Sequence, residues 1–333
     1  MDLKLLIHSF IALLAGFVLV VLMAPSFIPL LHRMKFGQEV RDDGPKTHLK
    51  KQGTPTMGGI MFLIAIVASV LLSFVGFGFE RDALLVLFLT AGFGLVGFAD
   101  DYLKIKKHQS EGLNPKQKIL MQLALTIVFA LLAFQTDTAG GTVLVPFTGI
   151  GETAMRFQLP IWAFLPFVTV VVLGTDNGVN FTDGLDGLCS SVTAAVAAFF
   201  AAAGFLTGSG MSIVSAAVIG ALFGFLLFNV YPAKVFMGDT GSLALGGFVA
   251  ASAVVSGLEL YVPIVGFIYM IEVISVIIQV TYFKRTHGKR FFKMAPIHHH
   301  FELLGNSETR IVAAFTIATL LLALLSVMGL MIP

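Results

Sequence analysis

Ten apolar stretches, continuous rather than alternating and mostly long enough to cross a lipid bilayer, dictate what this chain can fold into. A hydrocarbon core is about 30 Å thick and takes about 20 helical residues to cross. Within it every backbone N–H and C=O must be satisfied by the chain itself, which leaves helices and closed barrels. Continuous apolar runs select the helix. Hydrophobic residues make up 57% of the 333 and charged residues only 12%, more apolar surface than a soluble domain of this size can hide. The spans read at about 3–31, 58–79, 83–99, 119–135, 161–175, 190–207, 213–230, 241–257, 262–283 and 311–332. The third and fifth are short and must stand upright or be pinched. The first is too long for a signal peptide and has no convincing cleavage site, so it counts as a helix. The expected fold class is an all-α polytopic membrane protein of about ten transmembrane helices, a single integral membrane domain over 1–333. The one cysteine, Cys189, excludes an intrachain disulfide and a Cys-based zinc site. Nothing points to a nucleic acid polymer as partner.

Lys and Arg orient the bundle. Eighteen of the 21 fall in loops 32–57, 100–118, 231–240 and 284–310, leaving Lys4, Arg81 and Arg156 for the other side. With loop 176–189, these connections are therefore expected to be cytoplasmic, with both termini on the outer side. The outward connections are short except for 136–160, where Gly140-Gly141 and the residues after them suggest a small hairpin or surface-lying element. No repeat or soluble domain interrupts the pattern, so the chemistry belongs at the cytoplasmic face.

Six aspartates sit at the edges of apolar runs on that face: Asp100, Asp101, Asp176, Asp183, Asp186 and Asp239. Carboxylates are poor neighbours for anionic headgroups, and a recruited cation with a phosphorylated substrate accounts for them. Asp100 and Asp101 point about 100° apart on a helix, so they cannot serve one atom equally. A plainer use is a salt bridge to Lys104. In 176–188, polar groups recur at Asn177, Asn180, Asp183 and Asp186, a spacing that drifts round a regular helix. Gly184 and Gly187 instead suggest an irregular loop gathering them round one ligand. Asp239, between Gly238 and Gly241, either caps the eighth helix or reaches a metal; one or two carboxylates plus substrate phosphates suit Mg²⁺. Asn229 lies ten residues earlier and is expected in the same pocket. His298, His299 and His300 point in different directions, which disfavours a shared zinc and suits donors to phosphate or sugar oxygens. A basic loop on anionic lipid is the plainer reading. Glu272 stands inside the ninth span, where a charge costs roughly 2.5–3.5 kcal/mol on insertion scales. It marks a kink, a substrate groove or a hydrogen-bonded structural carboxyl, of which the last is favoured.

These residues resemble the polyprenyl-phosphate N-acetylhexosamine-1-phosphate transferases, end to end. The likeness runs through Lys46 and 53–59, then Asp100-Asp101-Tyr102 with Lys104 and Lys116. It continues through Asn177, Asn180, Asp183 and Asp186 to Phe236–Ser242 and Ala295-Pro296 with the three histidines and Glu302. The histidine loop fits the peptidoglycan branch, and Asp176 departs from the pattern, a small polar residue being more usual there. The resemblance implies transfer of phospho-MurNAc-pentapeptide from UDP-MurNAc-pentapeptide to undecaprenyl phosphate, giving lipid I and UMP, with Mg²⁺. It implies a homodimer, multi-pass in the bacterial inner membrane. It makes Asp239 the metal ligand and Asp100, Asp101, Asp239 and Lys116 the catalytic set, with Lys46 and Lys104 neutralising charge. It puts Asp183, Asn229 and Phe236 in the uridine and diphosphate region, and Asn177 and the histidines on the phosphate and sugar side.

Two routes stay open: direct attack by the lipid phosphate with Asp100 assisting, or a carboxylate nucleophile forming an acyl phosphate first. The lipid tail needs a groove, for which a break near Glu272 to Gln279 is the candidate. Rival readings are a sister transferase using UDP-GlcNAc, a secondary transporter, and a lipid-binding scaffold. Transporters usually bind at the midplane between repeated halves, unlike the one-sided polar residues here.

Overall fold

The computed structural model describes residues 3–34, 51, 53–78, 80–107, 109, 112–136 and 140–332, and Lys46 lies outside them. The described chain forms α1 (Leu3–Arg33), α2 (Gly59–Phe77), α3 (Arg81–Lys107) and α4 (Pro115–Ala133), then strands β1 (Thr142–Leu144) and β2 (Arg156–Gln158). There follow α5 (Ile161–Thr182), α6 (Leu188–Thr207), α7 (Met211–Asn229), α8 (Gly238–Val255), a 3₁₀ turn (Glu259–Tyr261) and α9 (Val262–Val265). The chain closes with α10 (Phe267–Arg285), α11 (Ile297–Glu302) and α12 (Glu308–Leu330). Ten of these helices are long and apolar enough to cross a membrane, and an all-α multi-pass membrane protein is the result.

Burial orders the helices from the inside out. In α8, 89% of the apolar window is buried, against 22% in α10 and α12, which leave their flanks to lipid. The sequence of α8 explains its place, because Gly, Ala and Ser along it let other backbones come close. Gly246 lies against the Cα of Asp176 on α5, and Gly247 against the Leu89 carbonyl of α3. Gly241 meets Gly59 at the start of α2. Around this axis stand α2, α3, α5 and α6, while α1 packs on α7 by the same device, Gly16, Gly220 and Gly224 facing backbone across the seam. The shell is completed by α4 on α3 and α5, α10 on α5, and α12 on α6.

The two ends of α8 differ. At its C-terminus the expected hairpin is present, β1 and β2 pairing antiparallel with Val143 opposite Phe157. It closes the bundle through Leu144 N–H to Gly257 O (2.9 Å), and through Phe147 N–H to the Tyr261 hydroxyl (2.9 Å). The polar end lies one helix length away, about 27 Å for the 18 residues of α8 at 1.5 Å per residue.

Three local expectations need correction there. The third span does not stop at residue 99: α3 runs to Lys107, so Asp100 and Asp101 sit on a helix within the bundle. Residues 176–189 are not one irregular loop, since α5 continues to Thr182 and only 183–187 are non-helical. The extra turns hold because Asp176 and Thr182 find partners inside the protein, Gln122 and the Gly178 carbonyl. Finally, the ninth span is interrupted at Gly266 and not near Glu272 to Gln279, which α10 carries as unbroken helix.

The seam between α3 and α8 is the tightest test of this packing. A Cβ on Gly97 would run into the Asp239 carbonyl and stand 2.6 Å from the Thr240 nitrogen, both of them backbone. Gly97→Ala is expected to lower the melting temperature of the detergent-solubilised protein by several degrees. Gly174→Ala, on an exposed stretch of α5 with nothing within 4 Å, should leave it unchanged or raise it, since Ala exceeds Gly in helix propensity by up to about 1 kcal/mol. Equal melting temperatures for Gly97→Ala and the parent would refute the close approach.

Candidate active site

The site is built round the N-terminus of α8. Gly238 enters the helix with φ +69°, a left-handed backbone that suits glycine, and a Cβ there would meet Asp101 Oδ2 at 2.6 Å. Asp101, on α3, accepts from the Asp239 N–H (3.2 Å), the Thr240 N–H (2.9 Å) and the Thr240 hydroxyl (2.7 Å). Its carboxylate therefore caps α8 from a neighbouring helix. Asp100, about 100° round α3, faces elsewhere. It accepts from the Leu113 N–H (2.9 Å) and meets Lys104 Nζ at 2.6 Å.

Asp239 lies in the first turn of α8, where the helix dipole favours an anion. Lys104 Nζ is 2.8 Å and Lys118 Nζ 3.1 Å from its Oδ2, and the Asn180 amide donates to Oδ1 (2.9 Å). Asn180 also donates to Ser242 Oγ at 2.8 Å, which fixes its plane. One oxygen from each of Asp100, Asp101 and Asp239 falls within a set no more than 4.8 Å across. Asp100 and Asp101 are buried, whereas Asp239, Lys104 and Lys118 keep 18%, 31% and 18% of their side chains exposed. The cluster opens through those three.

A second group surrounds the turn after α5. No hydrogen bond engages the Asp183 carboxylate among the described residues. Burial, and then the carboxylates of Asp239, Asp101 and Asp186, hold its pKa well above the usual carboxylate range, with Lys51 only partly opposing them. Asp186 is tied down: Lys51 Nζ lies 2.7 Å from Oδ1, and Ala233 N–H donates to Oδ2 (2.9 Å). Lys51 also reaches Glu308 at 2.7 Å. Burial works to lower the Lys51 pKa, but its two carboxylate partners prevail and hold it above the ordinary value.

The remaining sequence candidates are spread round these groups. Asn177 turns back on its own helix, donating to the Leu173 carbonyl (2.7 Å). Asn229 is buried as a brace between the Ser190 hydroxyl and the Val235 carbonyl. Phe236 is half-buried, its backbone paired with Pro55 and Gly58 at 2.8 Å each. Lys116 is exposed on the first turn of α4 and is not part of the aspartate cluster, where Lys118 stands instead. The three histidines do diverge. His298 is buried against Glu272, His299 pairs with Glu302 (2.7 Å), and His300 accepts from the Lys293 N–H (3.1 Å).

Sequence reasoning missed Lys118, although a signal for it exists. Asn114-Pro115-Lys116-Gln117 is a capping box, with the Asn114 side chain accepting from Lys116 N–H and Gln117 answering to Asn114 N–H. Read as a helix start at 115, it places Lys118 and Gln122 on one face, toward Asp239 and Asp176 respectively. The capping role of Asp101 and the Lys51 clamp carry no such signal, since both join segments far apart in sequence.

Chemically, Asp101 spends both oxygens on α8. Asp239 and Asp100 are the hard oxygen donors left to hold a divalent cation, and two carboxylates completed by substrate phosphates suit Mg²⁺. Lys104, touching both, shows that positive charge is accommodated between them.

The comparisons with known proteins cover the same stretch of chain. Residues 83–257, spanning Asp100 to Asp239, match glycosyl transferase family 4. Residues 51–63, from Lys51 into α2, match the phospho-N-acetylmuramoyl-pentapeptide-transferase signature 1. The phospho-N-acetylmuramoyl-pentapeptide-transferase of Clostridium botulinum (strain Alaska E43 / Type E3) is 47% identical over 320 residues, covering 96% of this chain and 95% of its own. That of Halalkalibacterium halodurans is 47% identical over 319 residues, covering 95% and 96%. That of Clostridioides difficile is 46% identical over 318 residues, again covering 95% and 96%. With likeness running the length of both partners and the acidic cluster inside the matched region, the chain belongs to glycosyl transferase family 4 and, within it, to the phospho-N-acetylmuramoyl-pentapeptide-transferases.

Proposed function

We propose that this enzyme transfers phospho-MurNAc-pentapeptide from UDP-MurNAc-pentapeptide to undecaprenyl phosphate, giving lipid I and UMP in peptidoglycan synthesis. The observation that carries the reading is a cluster of three aspartates and two lysines at one end of a membrane bundle whose relatives are named for this transfer. The Lys and Arg asymmetry supports a cytoplasmic site with both termini outside, in the inner membrane of a bacterium. A homodimer belongs to the reading on the family likeness.

Two anions must meet, so repulsion is the first barrier. Mg²⁺ held by Asp239 with Asp100 would supply positive charge to the diphosphate oxygens. Lys104 and Lys118, both on Asp239 and both partly exposed, are placed to neutralise charge on the transferring phosphoryl group and the departing UMP. Asp101 keeps the start of α8, and so Asp239, in place. Asp183, whose carboxylate has no hydrogen bond among the described residues, faces the nucleotide in this reading, with Phe236 and the Lys51 clamp shaping that side. A phosphate monoester has its second pKa near 6, so the lipid phosphate arrives mostly as the dianion. Direct attack therefore needs little from a base, and Asp100, already committed to Lys104 and Leu113, assists by position. An acyl-phosphate route would require exchange of UMP into the UDP donor without lipid phosphate. Absence of that exchange is the result expected.

The first test is UMP release in detergent. It should require undecaprenyl phosphate, Mg²⁺ and the pentapeptide donor together, and Asp239→Asn should reduce it at least about a hundredfold, as removal of a charge-stabilising group does. Release with UDP-GlcNAc alone would move the chain to a sister reaction. No release from folded protein would overturn the reading.

Asp183 supplies a second test through stability. A carboxyl whose pKa is raised in the folded state stabilises fully only below its unfolded value, about 4, and that contribution is lost as pH rises through the folded value. Asp183→Asn should thus melt above the parent at pH 7.5 without substrate, the gap closing toward pH 4, while UMP release falls at least about tenfold. A lower melting temperature at pH 7.5, or a gap indifferent to pH, would refute the repulsion assigned to this turn.

A further inference from the structure

Glu272 is fully buried on α10, in the apolar stretch Ile268–Ser275, and lies outside the cluster just described. Such a carboxylate is expensive in a membrane bundle unless something answers it. The group that does is His298, the second residue of α11, itself only 1% exposed, with Nδ1 3.1 Å from Glu272 Oε1. Among the described residues neither oxygen of Glu272 and neither ring nitrogen of His298 has a hydrogen bond, so the 3.1 Å approach is what joins the two groups. The far nitrogen of the imidazole, like the second oxygen of Glu272, is left without a hydrogen bond among the described residues.

That nitrogen faces the turn after α5. It lies on the backbone of Gly184, where any Cβ would collide with the imidazole ring, and Gly184 follows Asp183 in the turn assigned to the nucleotide side. The ring is held from its other face by His299, with ring centroids 4.1 Å apart, and His299 is itself tied to Glu302. The helix beneath Glu272 is equally fixed. Tyr269, one turn earlier, packs on Gly178 of α5 and bonds Thr193 of α6 through its hydroxyl at 2.8 Å. Glu272 therefore stands on a rigid element, and its direction toward His298 is set by packing.

We propose that Glu272 is a positioning residue for the donor substrate. By standing 3.1 Å from the Nδ1 edge of His298, it fixes the orientation of the ring so that Nε2 is directed past Gly184 to an anionic oxygen of the UDP-linked donor. Carboxylate and imidazole together then place one directed ring nitrogen beside the turn that carries Asp183. Carboxylates behind metal-ligating histidines are worth about 10–100-fold when removed, and a loss of the same order is expected here. The proposal rests on the transferase reading above and adds to it a residue that touches no substrate.

The test is a kinetic double-mutant cycle on the full-length protein in detergent, with KM for UDP-MurNAc-pentapeptide and for undecaprenyl phosphate measured separately. Glu272→Leu should raise the donor KM about 10–100-fold and leave the lipid KM within about twofold. Glu272→Gln keeps volume and an acceptor oxygen but not the charge, and should raise the donor KM several-fold. In a His298→Ala background neither substitution should raise it further. A purely structural role predicts otherwise: both KM values shift together, or the losses add to that of His298→Ala, and either result overturns the proposal. So does a donor KM unchanged in both variants. Should Glu272→Leu fail to fold, Glu272→Gln with and without His298→Ala decides alone. An inactive parent protein would defeat the transferase reading itself, whereas an active parent with unaltered Glu272 variants would defeat only this inference.

Discussion

The N-terminus of α8 presents N–H groups that the helix itself cannot satisfy, and the Asp101 carboxylate meets two of them. A helix start without such a partner leaves donors exposed to an apolar surrounding, at a cost of several kcal/mol each in hydrocarbon. Satisfying them from α3 has consequences beyond the cap. It brings α3 and α8 to backbone contact at Gly97, and that contact sets the height at which Asp239 leaves the helix. Lys104, one turn below Asp100 on the same α3, then falls within reach of Asp239 without further adjustment. One capping interaction thus aligns the acidic cluster.

This arrangement explains why adjacent aspartates divide their labour. Two carboxylates side by side on a helix cannot share a ligand, and here they do not. Asp101 faces inward to the backbone of α8, and Asp100 faces the loop before α4 and the lysine. The charge balance is local. Around Asp239, Lys104 and Lys118 offset the three aspartates; around Asp186, Lys51 offsets two carboxylates, with Glu308 as the second. Each group keeps one carboxylate more than it has lysines, and Asp183 lies between them, its pKa held up first by burial and then by those neighbouring carboxylates. An uncompensated position of that kind is a cost to the fold, and in the proposed reaction it is a point of attachment for a phosphate with its cation.

Much of this was legible in the sequence because the governing constraint is one-dimensional. A bilayer demands runs of apolar residues, and the ten runs, the hairpin after Gly141 and the one-sided lysines can be read off directly. The edges of the runs misled where polar residues remain helical. Asp100, Asp101, Asp176, Asn177 and Asn180 look like the ends of spans, but they lie on helices that continue because partners across the bundle absorb their polarity. Spacing on one strand of sequence cannot show Gln122 waiting for Asp176, or Ser242 for Asn180. Lys118 was lost for a different reason: the capping box at Asn114 was passed over, and the helix start slipped by four residues. The break at Gly266 was masked by the apolar residues on both sides of it, which give a continuous run with no hydropathy minimum.

The five-residue turn 183–187 joins what would otherwise be two separate sites. Asp183 stands on its open side toward the aspartate cluster, and Gly184 gives the His298 ring its seat. Asp186 is locked to Lys51 and to the backbone before α8, and Gly187, at φ +77°, releases the chain into α6. A side chain at 184 would displace the histidine, and a looser Asp186 would let the turn drift from Asp239. Short length matters here: with α5 and α6 both packed, the turn has few torsions through which to relax. The aspartate- and lysine-bearing elements α3, α4 and α8 and the histidine-bearing α11 share no covalent neighbourhood, so their spacing depends on this turn. On the proposed reading, a donor carrying a diphosphate and a sugar must satisfy both sets at once, and this turn fixes the distance between them.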